Sequence, residues 1–138
     1  MILDVKGVRE LIPQKNPFVM VGELLIAEEN KLETNFIINK DNVMVENGEF
    51  STPGLIENIA QTCAAGFGYL AKQKGENPQI GFIGSISKLK AHQRPKVGQK
   101  INTIIEVVTN FANITLIKGV NYFEGEILVE CEMKIVVT

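Results

Sequence analysis

Glu57 and Gln61 stand one turn apart near the start of Ser51–Gln73, STPGLIENIAQTCAAGFGYLAKQ, a stretch otherwise apolar on almost every side. A helix apolar all round is a buried helix, and a carboxylate on it is costly without a partner or a chemical task. At i and i+4 the Gln61 amide can hydrogen-bond the Glu57 carboxylate. The ordinary alternative is a first-turn carboxylate that complements the helix dipole and a glutamine that satisfies backbone. Few other reactive groups compete. The one histidine, His92, lies in Lys88–Arg94, far along the chain. A lone strand histidine is more often structural than catalytic, and His92 could act as a base only if its strand reaches Glu57. Cys63 and Cys131 are too few and too isolated for a disulfide framework or a zinc site. Cys63, in apolar company, reads as inert core rather than as a partner of His92. Gly84-Ser85-Ile86-Ser87 lacks the second glycine of a nucleophile elbow, and no Gly-rich phosphate loop follows a strand. No acidic cluster points to a metal, and neither a metal nor a cofactor is expected.

At 138 residues the chain fits one domain, 1–138. Its 45% apolar and 22% charged residues are ordinary for a soluble protein, and a net charge of −2 gives no bulk electrostatic case for nucleic acid. The opening MILDVKGVRELIPQK mixes charges and is not a signal peptide. The uncharged run Asn58–Ala71 is too short and too polar to span a membrane. The expected location is the cytoplasm.

The elements that must position Glu57 follow from periodicity. Val5, Val8, Leu11 and Ile12 predict a short helix over Leu3–Ile12, stopped by Pro13. Pro17–Ala27 is dense in Phe, Val, Leu and Ile and predicts a strand. Lys31–Asn39 alternates and predicts a second. Lys40–Glu49 reads as a loop with an extended piece at Val43–Val45. The long helix is expected over about 52–74, with Thr52 as N-cap, Pro53 in its first turn and Gly75 as a left-handed C-cap. Four strands follow, at Gln79–Ala91, Lys100–Val108, Asn113–Tyr122 and Glu126–Val137, with Lys96-Val97-Gly98 as a turn. The last three are expected to form an antiparallel meander, with turns at Asn110–Ala112 and Phe123–Gly125. Helix, two strands, long helix, four strands is an α+β order, most simply packed as a sheet wrapped around the apolar helix. The small residues Ala64, Ala65, Gly66, Gly68 and Ala71 admit two readings, close helix–sheet packing or room for an acyl chain.

This order resembles the hotdog fold, a curled antiparallel sheet around one long central helix. Three patterns narrow it. Ile12-Pro13-Gln14-Lys15-Asn16-Pro17-Phe18 is similar to the Leu-Pro-His-Arg-x-Pro-Phe of 3-hydroxyacyl-[acyl-carrier-protein] dehydratases. Pro53-Gly54 with Glu57-Asn58-Ile59-Ala60-Gln61 resembles their Pro-Gly … Glu-x-x-Ala-Gln, and Arg94-Pro95-Lys96-Val97-Gly98 resembles their Arg-Pro-x-x-Pro-Gly turn. The nearest branch is that of the short dehydratase-like proteins of aryl-polyene and flexirubin-type pathways. The resemblance implies that Glu57 is the acid that protonates the leaving hydroxyl and that Gln61 orients it. It implies that Phe50, Pro53, Gly54 and Leu55 shape the helix end where amides hold the thioester carbonyl, aided by the dipole. The family's Gly-His-Phe histidine, which removes the C2 proton, is matched here by Glu49 in Gly48-Glu49-Phe50. Gln14 stands where Leu-Pro-His carries its other histidine. A carboxylate serves as base only if burial or a like charge raises its pKa, and the alternative for Glu49 is a solvated loop residue.

Three functions therefore stay open on the residues. The first is a dehydratase-like protein acting on or binding acyl thioesters of acyl carrier protein in fatty-acid or polyene-type synthesis. The second is a hotdog thioesterase using Glu57. The third is a non-catalytic subunit that binds acyl chains or completes a heterodimer with a histidine-bearing homologue. The basic residues Lys72, Lys74, Lys88, Lys90, Arg94 and Lys96 read as a solvated surface, or as a contact for the acidic carrier protein if the resemblance holds. A homodimer is expected, since the last strands are apolar and an open sheet edge needs cover. In the sheet-to-sheet pairing that the resemblance implies, Glu57 would face a loop of the partner.

Overall fold

The computed structural model describes residues 1–77 and 81–137. Helix α1 spans Val5–Leu11, capped by Asp4, whose Oδ1 accepts from Gly7 N at 2.8 Å. Then come β1 (Leu24–Ala27), β2 (Lys31–Ile37), β3 (Val45–Glu46), β4 (Glu49–Phe50), α2 (Thr52–Gln73), β5 (Gly81–Ala91), β6 (Lys100–Phe111), β7 (Ile114–Phe123) and β8 (Glu126–Val137). Six strands form one antiparallel sheet in the order β1-β2-β6-β7-β8-β5. The long helix α2 packs against all six. Leu55, Ile59 and Cys63 of α2 join Leu32, Ile101, Ile105, Ile117, Leu128 and Met133 in a single core. A sheet curled around one apolar helix is the hotdog arrangement. The meander β6-β7-β8 forms as expected, its tight turns made by Ala112-Asn113 and Glu124-Gly125. Gly75 takes the left-handed conformation that ends α2, with φ 74°. Gln79 and Ile80, expected in β5, lie outside the described residues.

Four expectations are corrected. Residues Pro17–Glu23 are not part of β1: Gly22 N donates to Asn35 O of β2 at 2.8 Å and Glu23 O accepts from Asn35 N at 3.1 Å, but Phe18 and Met20 before them bond to side-chain amides of α2 instead of a strand. Gln61 Oε1 accepts from Met20 N at 2.6 Å, Gln61 Nε2 donates to Phe18 O at 2.9 Å, and Asn58 Nδ2 donates to Met20 O at 2.7 Å. Two helix side chains thus stand in for a neighbouring strand. The expected loop before α2 contains the hairpin β3-β4, turned by Asn47-Gly48 with φ of 52° and 78°. Both turn residues have positive φ, as a type I′ turn requires, and Asn-Gly suits that best. The N-cap is Ser51, not Thr52. Ser51 Oγ accepts from Gly54 N at 3.2 Å, while Ser51 N is tied to Met44 O at 2.9 Å. The hairpin's closing contact therefore decides between two adjacent hydroxyls. Finally, the uncovered edge beside the last strands is β5, because the chain returning from α2 pairs outside β8.

Between α2 and the sheet lies a buried polar layer. Asn58 Oδ1 accepts from Thr103 Oγ1 and, at 3.4 Å, from Asn121 Nδ2. Asn121 also donates to Leu55 O at 3.0 Å and accepts from Val129 N at 3.1 Å, and the Thr34 and Thr62 hydroxyls meet at 2.8 Å. Each buried polar atom in this layer is partnered, so it fixes the rotation of α2 against the sheet at no unsatisfied cost.

Candidate functional site

With Leu55, Asn58, Ile59 and Thr62 turned to the sheet, Glu57 points elsewhere. It is half-buried and lines a cavity of about 390 Å³ that runs beside α2. Glu57, Ala60, Ala64, Phe67, Gly68 and Ala71 form its helical wall, the i, i+3, i+4, i+7 stripe of one helix face. From Glu57 to Ala71 that wall is about 21 Å long at the helical rise. Gly81, Phe82, Ile83, Ile135 and Val137 form the facing wall, and Pro13 and Gln14 contribute from the end of α1.

Gln61 holds the carboxylate in place. Its Nε2 donates to Glu57 Oε1 at 2.9 Å, and the opposite end of the same amide is fixed by Met20 N. An amide whose oxygen must accept from a backbone N–H has no choice but to present its NH₂ to the other side. Glu57 Oε1 is thereby engaged, leaving Oε2 to meet whatever enters the cavity. Cys63 also lines the wall, but burial pushes its thiol up to about 12, with the neighbouring Cys131 adding to the effect; burial likewise pushes Cys131 up to about 11. Neither thiol is a nucleophile at neutral pH.

Glu57 and Gln61 are brought together. The other residues expected at the site are not among those lining this cavity. Glu49 lies half-buried in the hairpin, its backbone paired antiparallel with that of Lys96. Phe50 is fully buried, its amide tied to Pro95 O at 2.8 Å. Pro53 is exposed in the first turn of α2. The Gly54 amide goes to Ser51 Oγ and the Leu55 amide to Ser51 O at 3.0 Å. A Cβ at Gly54 would sit 2.7 Å from Phe50 Cζ, so packing alone already requires glycine there. His92 does not reach Glu57's cavity. Past the end of β5 its Nε2 meets Glu130 Oε2 at 3.1 Å on the protein surface. Sequence reasoning missed Gln14 and Ala60 as wall residues, although the helical spacing of Glu57, Ala60, Ala64 and Ala71 was a usable signal. The small residues divide by face. Ala64, Gly68 and Ala71 line the cavity, whereas a Cβ on Gly66 would come 2.5 Å from Leu32. A larger hollow of about 610 Å³ beside α1, edged by Arg9, Glu23, Asp41 and Lys100, contains none of these groups.

Among solved structures, the chain superposes with a TM-score of 0.87 on a chain of the dehydratase heterocomplex ApeI:P from Xenorhabdus doucetiae, at 15% identity, covering 100% of this chain and 93% of that one. A hypothetical thioesterase from Streptococcus pneumoniae, solved with coenzyme A, gives 0.68 at 11% identity over 84% of each chain. These likenesses establish the fold. In sequence, the 3-hydroxyacyl-[acyl-carrier-protein] dehydratase FabZ of Oceanobacillus iheyensis is 28% identical, with 96% of each chain covered. That of Bacillus subtilis is 26% identical over the same share. The family model described as ApeP dehydratase matches residues 6–138, nearly the whole chain, including the Glu57–Gln61 pair and the edge strand beside it. On that match, the chain belongs to the ApeP-like dehydratase family.

Proposed function

We propose that this protein acts on 3-hydroxyacyl thioesters of acyl carrier protein, in the cytoplasm, in fatty-acid or polyene-type synthesis. The observation that carries the reading is a carboxyl group held at 2.9 Å by Gln61 in the wall of a mainly apolar cavity. The acyl chain lies along the Ala60–Ala71 wall and brings C3 to Glu57. In dehydration a base removes the C2 proton, the electron pair forms the C2–C3 double bond, and the C3–O bond breaks. Glu57 donates its proton to the leaving hydroxyl, and water departs. Gly54, whose amide makes only a long bond of 3.2 Å to Ser51 Oγ, is the donor for the thioester carbonyl at the dipole end of α2. Phe50, Pro53 and Leu55 shape that end.

The base is supplied from outside the single chain's cavity. Edge strand β5 exposes Phe82, Ile83, Ile86 and Leu89, and its first three residues wall the cavity, so a second subunit pairing there would face Glu57. That subunit is either a second copy, offering Glu49, or a histidine-bearing homologue. Incubation with 3-hydroxyacyl carrier protein, alone and with such a homologue, separates the cases by formation of the enoyl thioester. Glu57→Gln is expected to lower turnover about 100-fold or more. Product from this chain alone rejects the heterodimer reading, product only from the mixture supports it, and product from neither removes the dehydratase assignment.

A further inference from the structure

Three polar side chains that the reaction above does not use, Gln14, Glu76 and Thr115, also line the cavity, and Gln14 stands apart from the other two. Its Oε1 is the buried side-chain atom without a hydrogen-bond partner among the described residues. Leaving an acceptor shut away from water and unpaired costs about 1–3 kcal/mol. The fold gains nothing visible from it, since α1 already ends at Leu11, with Ile12 as its C-cap, and Pro13 blocks its continuation. An aliphatic side chain of similar size would close the same wall without that cost. The contrast with the rest of the interior is sharp: Asn58, Gln61, Thr62, Thr103 and Asn121 are all paired.

Gln14 shares its cavity with Glu57, and most of the remaining lining is apolar. We propose that Gln14 Oε1 accepts a hydrogen bond from the 3-hydroxyl of the bound acyl chain, so that Gln14 is the residue by which this cavity distinguishes hydroxyacyl from plain acyl thioesters. The inference rests on the thioester reading above. An unpaired carbonyl oxygen calls for a donor, and a hydroxyl has one O–H to give while its oxygen keeps lone pairs for the Glu57 carboxyl. A saturated or enoyl chain has no donor to offer. The terminal torsion of a glutamine is broad, so turning the amide toward a cavity ligand costs little. A site that hydrogen-bonds a hydroxyl disfavours the analogue lacking it because its own polar group then stays unpaired.

The test compares binding of 3-hydroxydecanoyl- and decanoyl-N-acetylcysteamine by calorimetry, with the wild-type protein and with Gln14→Leu. The wild type is expected to prefer the hydroxyacyl probe roughly 5–10-fold, the worth of one such hydrogen bond. In Gln14→Leu the preference falls to about 1, with thermal stability no lower than wild type. Loss of affinity for both probes alike would assign Gln14 a structural role and overturn the inference. So would a preference retained by Gln14→Leu, or absent from the wild type. Gln14→Met, which keeps the length without the amide, answers the same question should Leu disturb folding. Binding of neither probe by the wild type would overturn the thioester reading itself, a result distinct from binding without preference.

Discussion

Replacing Asn58 by leucine tests whether the buried polar layer is what holds α2 in register. Asn58 is fully buried, and its side chain donates to Met20 O at 2.7 Å and accepts from Thr103 Oγ1 and Asn121 Nδ2. Leucine is close in volume, so cavity formation is a minor cost and the lost pairing dominates. Asn121 Nδ2 keeps Leu55 O, but the Met20 carbonyl and the Thr103 hydroxyl lose the side-chain partner that Asn58 supplies. At about 1–3 kcal/mol for each orphaned group, the sum is about 4 kcal/mol, a large share of the roughly 5–15 kcal/mol that holds a domain together. With a urea slope of roughly 2 kcal/mol per molar, the midpoint should fall by roughly 2 M. Thr103→Val removes the donor that Asn58→Leu strands, so the double variant should cost at least about 1 kcal/mol less than the sum of the singles. A loss under about 1 kcal/mol for Asn58→Leu, or strict additivity with Thr103→Val, would refute the reasoning.

Ser51→Ala should cost about 1 kcal/mol in urea unfolding and Thr52→Ala less than half of that, because only Ser51 Oγ caps α2; the reverse order would place the cap at Thr52. Gly66→Ala should destabilise by about 1–2 kcal/mol despite alanine's better helix propensity, since its Cβ would come 2.5 and 2.6 Å from the methyls of fully buried Leu32. Cys63 is pushed up to about 12 from its ordinary 9.0, so the folded state holds a proton there that the unfolded chain releases above about pH 9. Its contribution is therefore fully present below pH 9 and is lost as pH rises toward 12. The fall in urea stability from pH 8 to pH 10.5 should be smaller in Cys63→Ala than in wild type, and Cys63 should resist alkylation at pH 8 until the protein unfolds.

Helix α2 was legible because local signals agreed: hydroxyls and Pro53 at one end, Gly75 at the other, and apolar residues between. The meander was legible for the same reason, with alternation and turn residues in register. The segment Pro17–Glu23 has the composition of a strand, but the hydrogen-bond partners of Phe18 and Met20 are the Asn58 and Gln61 side chains, about 40 residues away. No local pattern records that. The hairpin before α2 has its signal in Asn47-Gly48, but its strands are two residues each, too short for alternation to show. The pair Glu57 and Gln61 could be named from spacing, but which helix face they occupy could not. Both faces of α2 are rich in small residues, and the face toward the sheet carries Asn58 and Thr62, which composition alone would assign to solvent.

That inversion explains why the cavity forms where it does. Polar side chains normally mark the outer face of a helix, but here they turn inward and are fully paired, so the apolar stripe Ala60, Ala64, Phe67 is left to border space instead of core. Two liabilities then meet at that stripe: the unpartnered Oε1 of Gln14, and edge strand β5 with Phe82 57% exposed. Either alone is an ordinary local cost. Proteins tolerate departures from local consistency mainly where function requires them, and these two have different physical remedies, a hydrogen-bond donor inside the cavity and a strand along its rim. Because Gly81, Phe82 and Ile83 belong both to the open edge and to the cavity wall, a subunit that covers β5 also closes the chamber around Glu57. If the partner proposed above pairs along β5, assembly and acyl-thioester binding are expected to be coupled at this strand. A charged substitution such as Ile86→Lys, on the edge but outside the cavity wall, should weaken association and acyl-thioester affinity together. Dissociation with undiminished affinity would show instead that the chamber is complete within one chain.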